Sequence, residues 1–230
     1  RDSDVFYPYN TFVKEKSFGA PQTLNSIKSI VKNKTKLVAW FVSNCQTSSR
    51  RELYVRELQK YLAVDIYGSC GDLKCQDRLK CRQMLHDDYK FYLAFENSNC
   101  KDYVTEKFTF LFEPRLYILP IVMWKKNYEN YAPPRSFISI EDFESPKALA
   151  EYLLALDKNL DEYAKYFLYK NEYRIDSCRS GQKCGICRLC QMALEWKSPP
   201  DKRYIVENID QWWNAPDVCD NGLIRRILKS

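Results

Sequence analysis

Residues 91–107 read FYLAFENSNCKDYVTEK, and this stretch decides the fold class. Phe91-Tyr92-Leu93-Ala94-Phe95 is a continuous apolar run, the pattern of a strand buried on both faces. Glu96-Asn97-Ser98-Asn99 is a polar turn, and Asp102-Tyr103-Val104-Thr105-Glu106-Lys107 reads as a helix start. In alternating α/β folds, ligands gather at the carboxyl ends of strands, where helix N-termini present free N–H groups. There the Glu106 carboxylate can accept hydroxyl hydrogens and the Lys107 ammonium can meet phosphate, with the Asn97 amide and Tyr103 phenol alongside. That chemistry suits a sugar nucleotide. The same residues would also serve as a plain strand end and a solvated helix turn.

Working outward, the strand–helix alternation repeats. Lys36 to Val42 (KLVAWFV) is a second apolar run, and Arg50 to Leu62 places Leu53, Tyr54, Leu58, Tyr61 and Leu62 on one helical face. Ala63 to Tyr67 is a short strand closed by Gly68, followed by a cysteine-bearing loop from Ser69 to Cys81. Tyr117 to Met123 and Phe137 to Ile140 supply two more strands, separated by a proline-containing loop, Asn127 to Arg135. Ser145-Pro146 is an N-cap with proline at the first helical position, and a further helix runs from Asp161 to Tyr173. The expected architecture is a Rossmann-like, doubly wound parallel sheet over residues 36–174. Residues 1–35 form a lead-in segment and residues 175–230 a cysteine-rich tail.

Composition narrows the class. With 45% hydrophobic and 15% aromatic residues in 230, the chain can fill a core and is not disordered. A net charge of +6, spread along the chain, is a soluble surface rather than a nucleic-acid footprint. No run approaches the ~20 apolar residues that span a bilayer. Ten cysteines, clustered, fit an oxidising compartment. Asn33-Lys34-Thr35 is the one N-glycosylation sequon, with Asn33 as its acceptor. No glycine-rich phosphate loop or Walker motif is present, so side chains must meet any diphosphate.

The string FENS followed by DYVTEK resembles the signature of the α1,3-fucosyltransferases. RDSDVFYPY (1–9), KLVAWFVSN (36–44), ELQKYLAVDIYG (57–68) and SFISIEDFESPKALAEYLLALDKN (136–159) fall in that family's order, so the resemblance covers nearly the whole chain. It implies the C-terminal, donor-binding half of a GT-B glycosyltransferase that moves fucose, with inversion, from GDP-fucose onto N-acetylglucosamine in glycans of glycoproteins or glycolipids. By matching position it assigns Arg51 and Lys107 to the diphosphate, and Asn97, Tyr103 and Glu106 to the ribose and fucose. No metal or other cofactor is implied. The family's general base lies upstream of Arg1, so no catalytic residue is expected in this chain, and residues 1–35 would end the acceptor-side region. Family members are Golgi type II proteins, which implies a luminal catalytic region, an anchor before Arg1 and no other membrane contact. A non-catalytic nucleotide-sugar module is the alternative reading.

Two features test that resemblance. The family carries glycine where Trp124 stands, so an indole is expected to fill donor-facing space; Pro114 should also end the preceding helix about a turn early. The spacing Cys178-x5-Cys184-x2-Cys187-x2-Cys190 would suit structural zinc. The resemblance implies disulfides instead, and the expected paired set is Cys70, Cys75, Cys81, Cys100, Cys178, Cys184, Cys187 and Cys190. His86 is expected in a solvated surface turn.

Overall fold

The computed structural model describes residues 5, 8–14, 21–176, 185–195, 207–213, 215 and 218–229. In chain order, strand β1 (Thr11–Lys14) and helix α1 (Leu24–Val31) precede the first central strand, β2 (Lys36–Phe41). Helix α2 (Arg51–Leu58) leads to β3 (Val64–Tyr67), and α3 (Arg78–Asp88) leads to β4 (Tyr89–Leu93). The short α4 (Glu106–Thr109) and a tighter turn at Phe110–Phe112 precede β5 (Leu119–Val122). After α5 (Lys126–Glu129) come β6 (Ile138–Ser139), α6 (Pro146–Lys158), α7 (Leu160–Lys165) and β7 (Tyr173–Asp176). Helices α8 (Gly185–Glu195), α9 (Ile209–Trp213) and α10 (Leu223–Ile227) complete the described elements.

Strands β2 to β6 form one parallel sheet in the order β3-β2-β4-β5-β6. Each central strand is apolar on both sides because each is covered on both sides. Val38, Trp40, Phe91, Leu93, Leu119 and Ile121 face a core shared with α1, α2, α6, α7 and α10. Ala39, Tyr92, Ala94, Ile118 and Val122 face the other way, against α3 and the aromatic turn at Phe108–Phe112. The alternation follows the two-residue period of a strand, and the doubly wound sheet is as expected.

This strand order reverses direction between β2 and β4. The chain steps outward from β2 to β3, then returns across β2 to β4 and continues to β5 and β6. In open α/β sheets that reversal opens a crevice outside the carboxyl ends of the two strands. The loops leaving β2 and β4 are therefore where a ligand site belongs, and they carry Arg51 and Lys107.

Several local expectations need correction. The loop expected from Ser69 to Cys81 ends at Asp77, which caps α3 (Arg78–Asp88) by accepting from the Leu79 and Lys80 amides. His86 accordingly sits in the last turn of that helix, partly buried beside Tyr117, and not in a surface turn. Burial and the Lys34 charge hold its imidazole below the usual histidine value. Buried Lys34 donates to the carbonyls of Leu85, His86 and Tyr89, satisfying the end of α3. The expected helix from Asp161 to Tyr173 stops at Lys165. A tight turn at Leu168–Asn171 follows, and β7 then pairs antiparallel with β1, across the boundary drawn at 174/175.

Among the described residues, three disulfides join Cys45 to Cys70, Cys75 to Cys81 and Cys100 to Cys219. Cys45 and Cys219 were not in the expected set. Cys187 and Cys190 were, and both are free and exposed. They lie three residues apart on α8, where Cβ atoms sit about 5–6 Å apart, beyond the roughly 3.5–4.5 Å that a disulfide requires. Cys178 and Cys184 lie outside the described residues. Alkylation of the unreduced native protein should therefore label Cys187 and Cys190 and spare the six bonded cysteines. Mass spectrometry showing a Cys187–Cys190 crosslink would overturn the assignment.

Candidate functional site

The loops after β2 and β4 are stitched to each other. The Ser49 amide donates to the Asn97 carbonyl at 2.9 Å and its hydroxyl to the Glu96 carbonyl at 2.8 Å. Arg50, in the left-handed region at φ 55°, turns the chain into α2. That turn brings Arg51 inward rather than outward. Arg51 is only 2% exposed, and its guanidinium donates to the Phe95 carbonyl and, at 3.1 Å, to the Asn44 carbonyl. It also lies 5.6 Å from the Trp40 ring. Its Nε is buried with no partner, as is the Asn97 Oδ1.

Glu96 is the buried centre of the second loop. Its carboxylate accepts from the Thr105 amide at 2.8 Å and the Thr105 hydroxyl at 2.9 Å, and pairs with the Lys107 ammonium at 3.2 Å. Burial pushes its pKa above the usual carboxylate value, against the pull of Lys107 and Thr105. Thr105 caps α4, so Glu106 and Lys107 stand on the helix's first turn. Burial alone would lower Lys107, but Glu96 and Glu106 outweigh it and raise its pKa. Burial alone would raise Glu106, but Lys107 and hydrogen bonds hold it low. At pH 7 the two form an ion pair, 3.3 Å apart.

That pair is a ridge between two cavities of about 430 Å³ each. One is lined by Ser43, Asn44, Arg51, Asn97, Glu106 and Lys107, with Tyr67 and Gly68 on its rim. Gly68 has φ 106°, and a Cβ there would fall 2.4 Å from the Val42 carbonyl oxygen, so no larger residue fits between the ends of β2 and β3. The other cavity is lined by Tyr9, Tyr103, Asn127 and Tyr131, again with Glu106 and Lys107. Burial raises the Tyr103 phenol above its ordinary value, so it is protonated and can donate. The first cavity offers cations, an amide and hydroxyls to a phosphorylated ligand. The second offers aromatic faces and hydroxyls, which suit a neutral sugar ring.

The sequence model of Glycosyltransferase family 10 (fucosyltransferase) C-term matches residues 31–212. The chain belongs to glycosyltransferase family 10. It is 43% identical to glycoprotein 3-alpha-L-fucosyltransferase A of Drosophila melanogaster, over 95% of this chain and 42% of that protein. It is 39% identical to alpha-(1,3)-fucosyltransferase fut-1 of Caenorhabditis elegans, over 98% of this chain and 53% of that one. The family 10 chain thus spans about half the length of the curated relatives it matches. A crystal structure of alpha1,3-fucosyltransferase with GDP-fucose shares its fold, with a TM-score of 0.55 at 20% identity over 76% of this chain and 50% of that one.

All five residues expected at the donor converge on this ridge. Arg51, Asn97, Glu106 and Lys107 share one cavity, and Tyr103 joins Glu106 and Lys107 in the other. Trp124 does not fill the site: the indole lines neither cavity and packs partly buried against the main core. Pro114 lies just beyond the tight turn that ends α4's helical run at Phe112, as expected. Glu96, buried and paired with Thr105 and Lys107, is the residue of this cluster that the sequence reading passed over as part of a turn. Its signal was its place directly after a strand buried on both faces. Asn33 is exposed, in the turn between α1 and β2. Among the described residues no group of three or more His, Cys, Asp and Glu could hold a metal ion, and no helix is long and apolar enough to cross a membrane.

Proposed function

We propose that this chain is the donor-binding half of an α1,3-fucosyltransferase that takes fucose from GDP-fucose and transfers it, with inversion, to N-acetylglucosamine in a glycan. The observation that carries the reading is the convergence of Arg51, Asn97, Tyr103, Glu106 and Lys107 at the sheet's switch point, in a family 10 chain. It is supported by Arg51 and Asn97 both lining the first cavity, each with a buried polar atom that has no partner in the chain, the Arg51 Nε and the Asn97 Oδ1. Arg51 and Lys107 supply two positive charges where the diphosphate brings two negative ones, so the donor is held without a metal. Glu106 and Tyr103 hold sugar hydroxyls. The general base comes from the acceptor-side half, not from this chain. Three disulfides fit a Golgi-luminal location, and the glycan acceptor is the expected partner. The alternative of a disabled module leaned on Trp124, and that indole lies on the core.

Calorimetric titration of GDP and GDP-fucose into the natural full-length protein tests the reading. Both should bind, with affinity unchanged by excess EDTA, and fucose should pass to an N-acetylglucosamine-containing acceptor. Binding abolished by EDTA would remove the metal-free assignment. No GDP binding at all would remove the donor site.

A further inference from the structure

Lys107 has three ammonium hydrogens, and three partners take them. Its Nζ lies 2.9 Å from the Thr105 hydroxyl, 3.2 Å from Glu96 and 3.3 Å from Glu106. The partners are not equivalent. Glu96 is 4% exposed and Thr105 5% exposed, whereas the Glu106 side chain is 57% exposed and lines both cavities. The Thr105 hydroxyl has one hydrogen, and a carboxylate can only accept it, so it donates to Glu96 and accepts from Lys107. Glu96, Thr105 and Lys107 thus close a hydrogen-bonded ring, buried on the Glu96 and Thr105 side, with each hydrogen assigned.

We propose that Glu96 is a positioning residue: with Thr105 it fixes two of the three Lys107 hydrogens, so that the third, now on Glu106, is the one delivered to an anionic ligand. The proposal rests on the reading of this ridge as the diphosphate site. On ligand binding a phosphate oxygen displaces Glu106 from Lys107, and the freed carboxylate turns to a sugar hydroxyl. Glu96 lines neither cavity. It also sets the Lys107 charge: the groups facing that ammonium are Glu96, Glu106 and Tyr103, and burial alone would favour the neutral amine.

Substitutions at four residues separate this from a merely structural role. Glu96→Gln turns an amide donor toward the ammonium, so GDP affinity should fall about tenfold. In a Lys107→Ala background the same change should alter affinity by less than about twofold, because the residue acts through Lys107. Thr105→Ser should behave as wild type, and Thr105→Val should lose affinity as Glu96→Gln does. Glu106→Gln should bind inorganic pyrophosphate about two- to fivefold tighter, having lost the competing carboxylate. The ligand-independent readout is the Lys107 ammonium titration, followed by NMR on labelled lysine. In Glu96→Gln it should shift to lower pH. An unshifted titration overturns the proposal, whatever GDP does, as does an undiminished Glu96→Gln effect in the Lys107→Ala background. If wild type binds no GDP while the titration shifts, the donor reading falls and the positioning of Lys107 by Glu96 stands.

Discussion

Lys107→Ala weakens GDP binding by about ten- to a hundredfold, and Arg50→Ala changes it by less than about threefold. The first figure is the loss of one charge-assisted contact, worth about 1.5–3 kcal/mol, to a diphosphate with no glycine loop to wrap it. The second follows from direction. Arg50 and Arg51 are neighbours, but Arg50 only turns the chain into α2, whereas Arg51 lines the cavity with Lys107. Arg51→Ala should lose binding to the same extent as Lys107→Ala, and both should lower the unfolding temperature. The Arg51 guanidinium ties the Phe95 and Asn44 carbonyls, and Lys107 is the cation paired with the buried Glu96 carboxylate. Calorimetric titration of GDP alongside thermal unfolding reads both. If Arg50→Ala and Arg51→Ala weaken GDP equally, the effect is general electrostatics and the cavity assignment is wrong.

The parts that could be read from the chain were those set by local pattern. Continuous apolar runs at 36–42, 91–95 and 117–123 became strands covered on both faces, since only a two-sided core makes such runs favourable. Helix α3 was not legible because its apolar periodicity is nearly absent: only Cys81 and Leu85 are buried on it. The Asp77 cap was its one local signal. Strands β1 and β7 lie 165 residues apart where Thr11 meets Asp176, and no local pattern announces a partner at that distance. Arg51 shows the limit most clearly. As a side chain it reads as a surface cation; only the left-handed turn at Arg50 and the carbonyls of a second loop make it a buried one. The constellation was visible in the string, and its assembly was a product of the strand order.

Replacing both Cys100 and Cys219 with alanine lowers stability by about 4–5 kcal/mol, the largest effect of the three disulfides. The bond closes a separation of 119 residues, against 25 for Cys45–Cys70 and 6 for Cys75–Cys81. Constraint on the unfolded chain grows with the logarithm of loop length, giving about 3.5 kcal/mol for the second and about 2 kcal/mol for the third. In a chain of this size the first loss corresponds to roughly 10–20 °C in unfolding temperature. The consequence reaches the site as well. Cys100 sits in the loop that carries Glu96 and Asn97. Beside the disulfide, the Asp220 amide donates to the Asn99 carbonyl and the Lys101 amide to the Val218 carbonyl, each at 2.7 Å. Leu223 and Ile224 of α10 then anchor that tail in the core next to α2. The tail therefore braces the loop after β4 from behind, and GDP affinity should fall several-fold with the bond removed even below the new unfolding temperature. Unfolding curves for the three double-alanine variants should rank in the order of loop length. If the Cys75–Cys81 variant proves the least stable, loop-closure entropy is not what these bonds contribute. If GDP affinity is unchanged without Cys100–Cys219, the two backbone hydrogen bonds and α10 hold the loop by themselves.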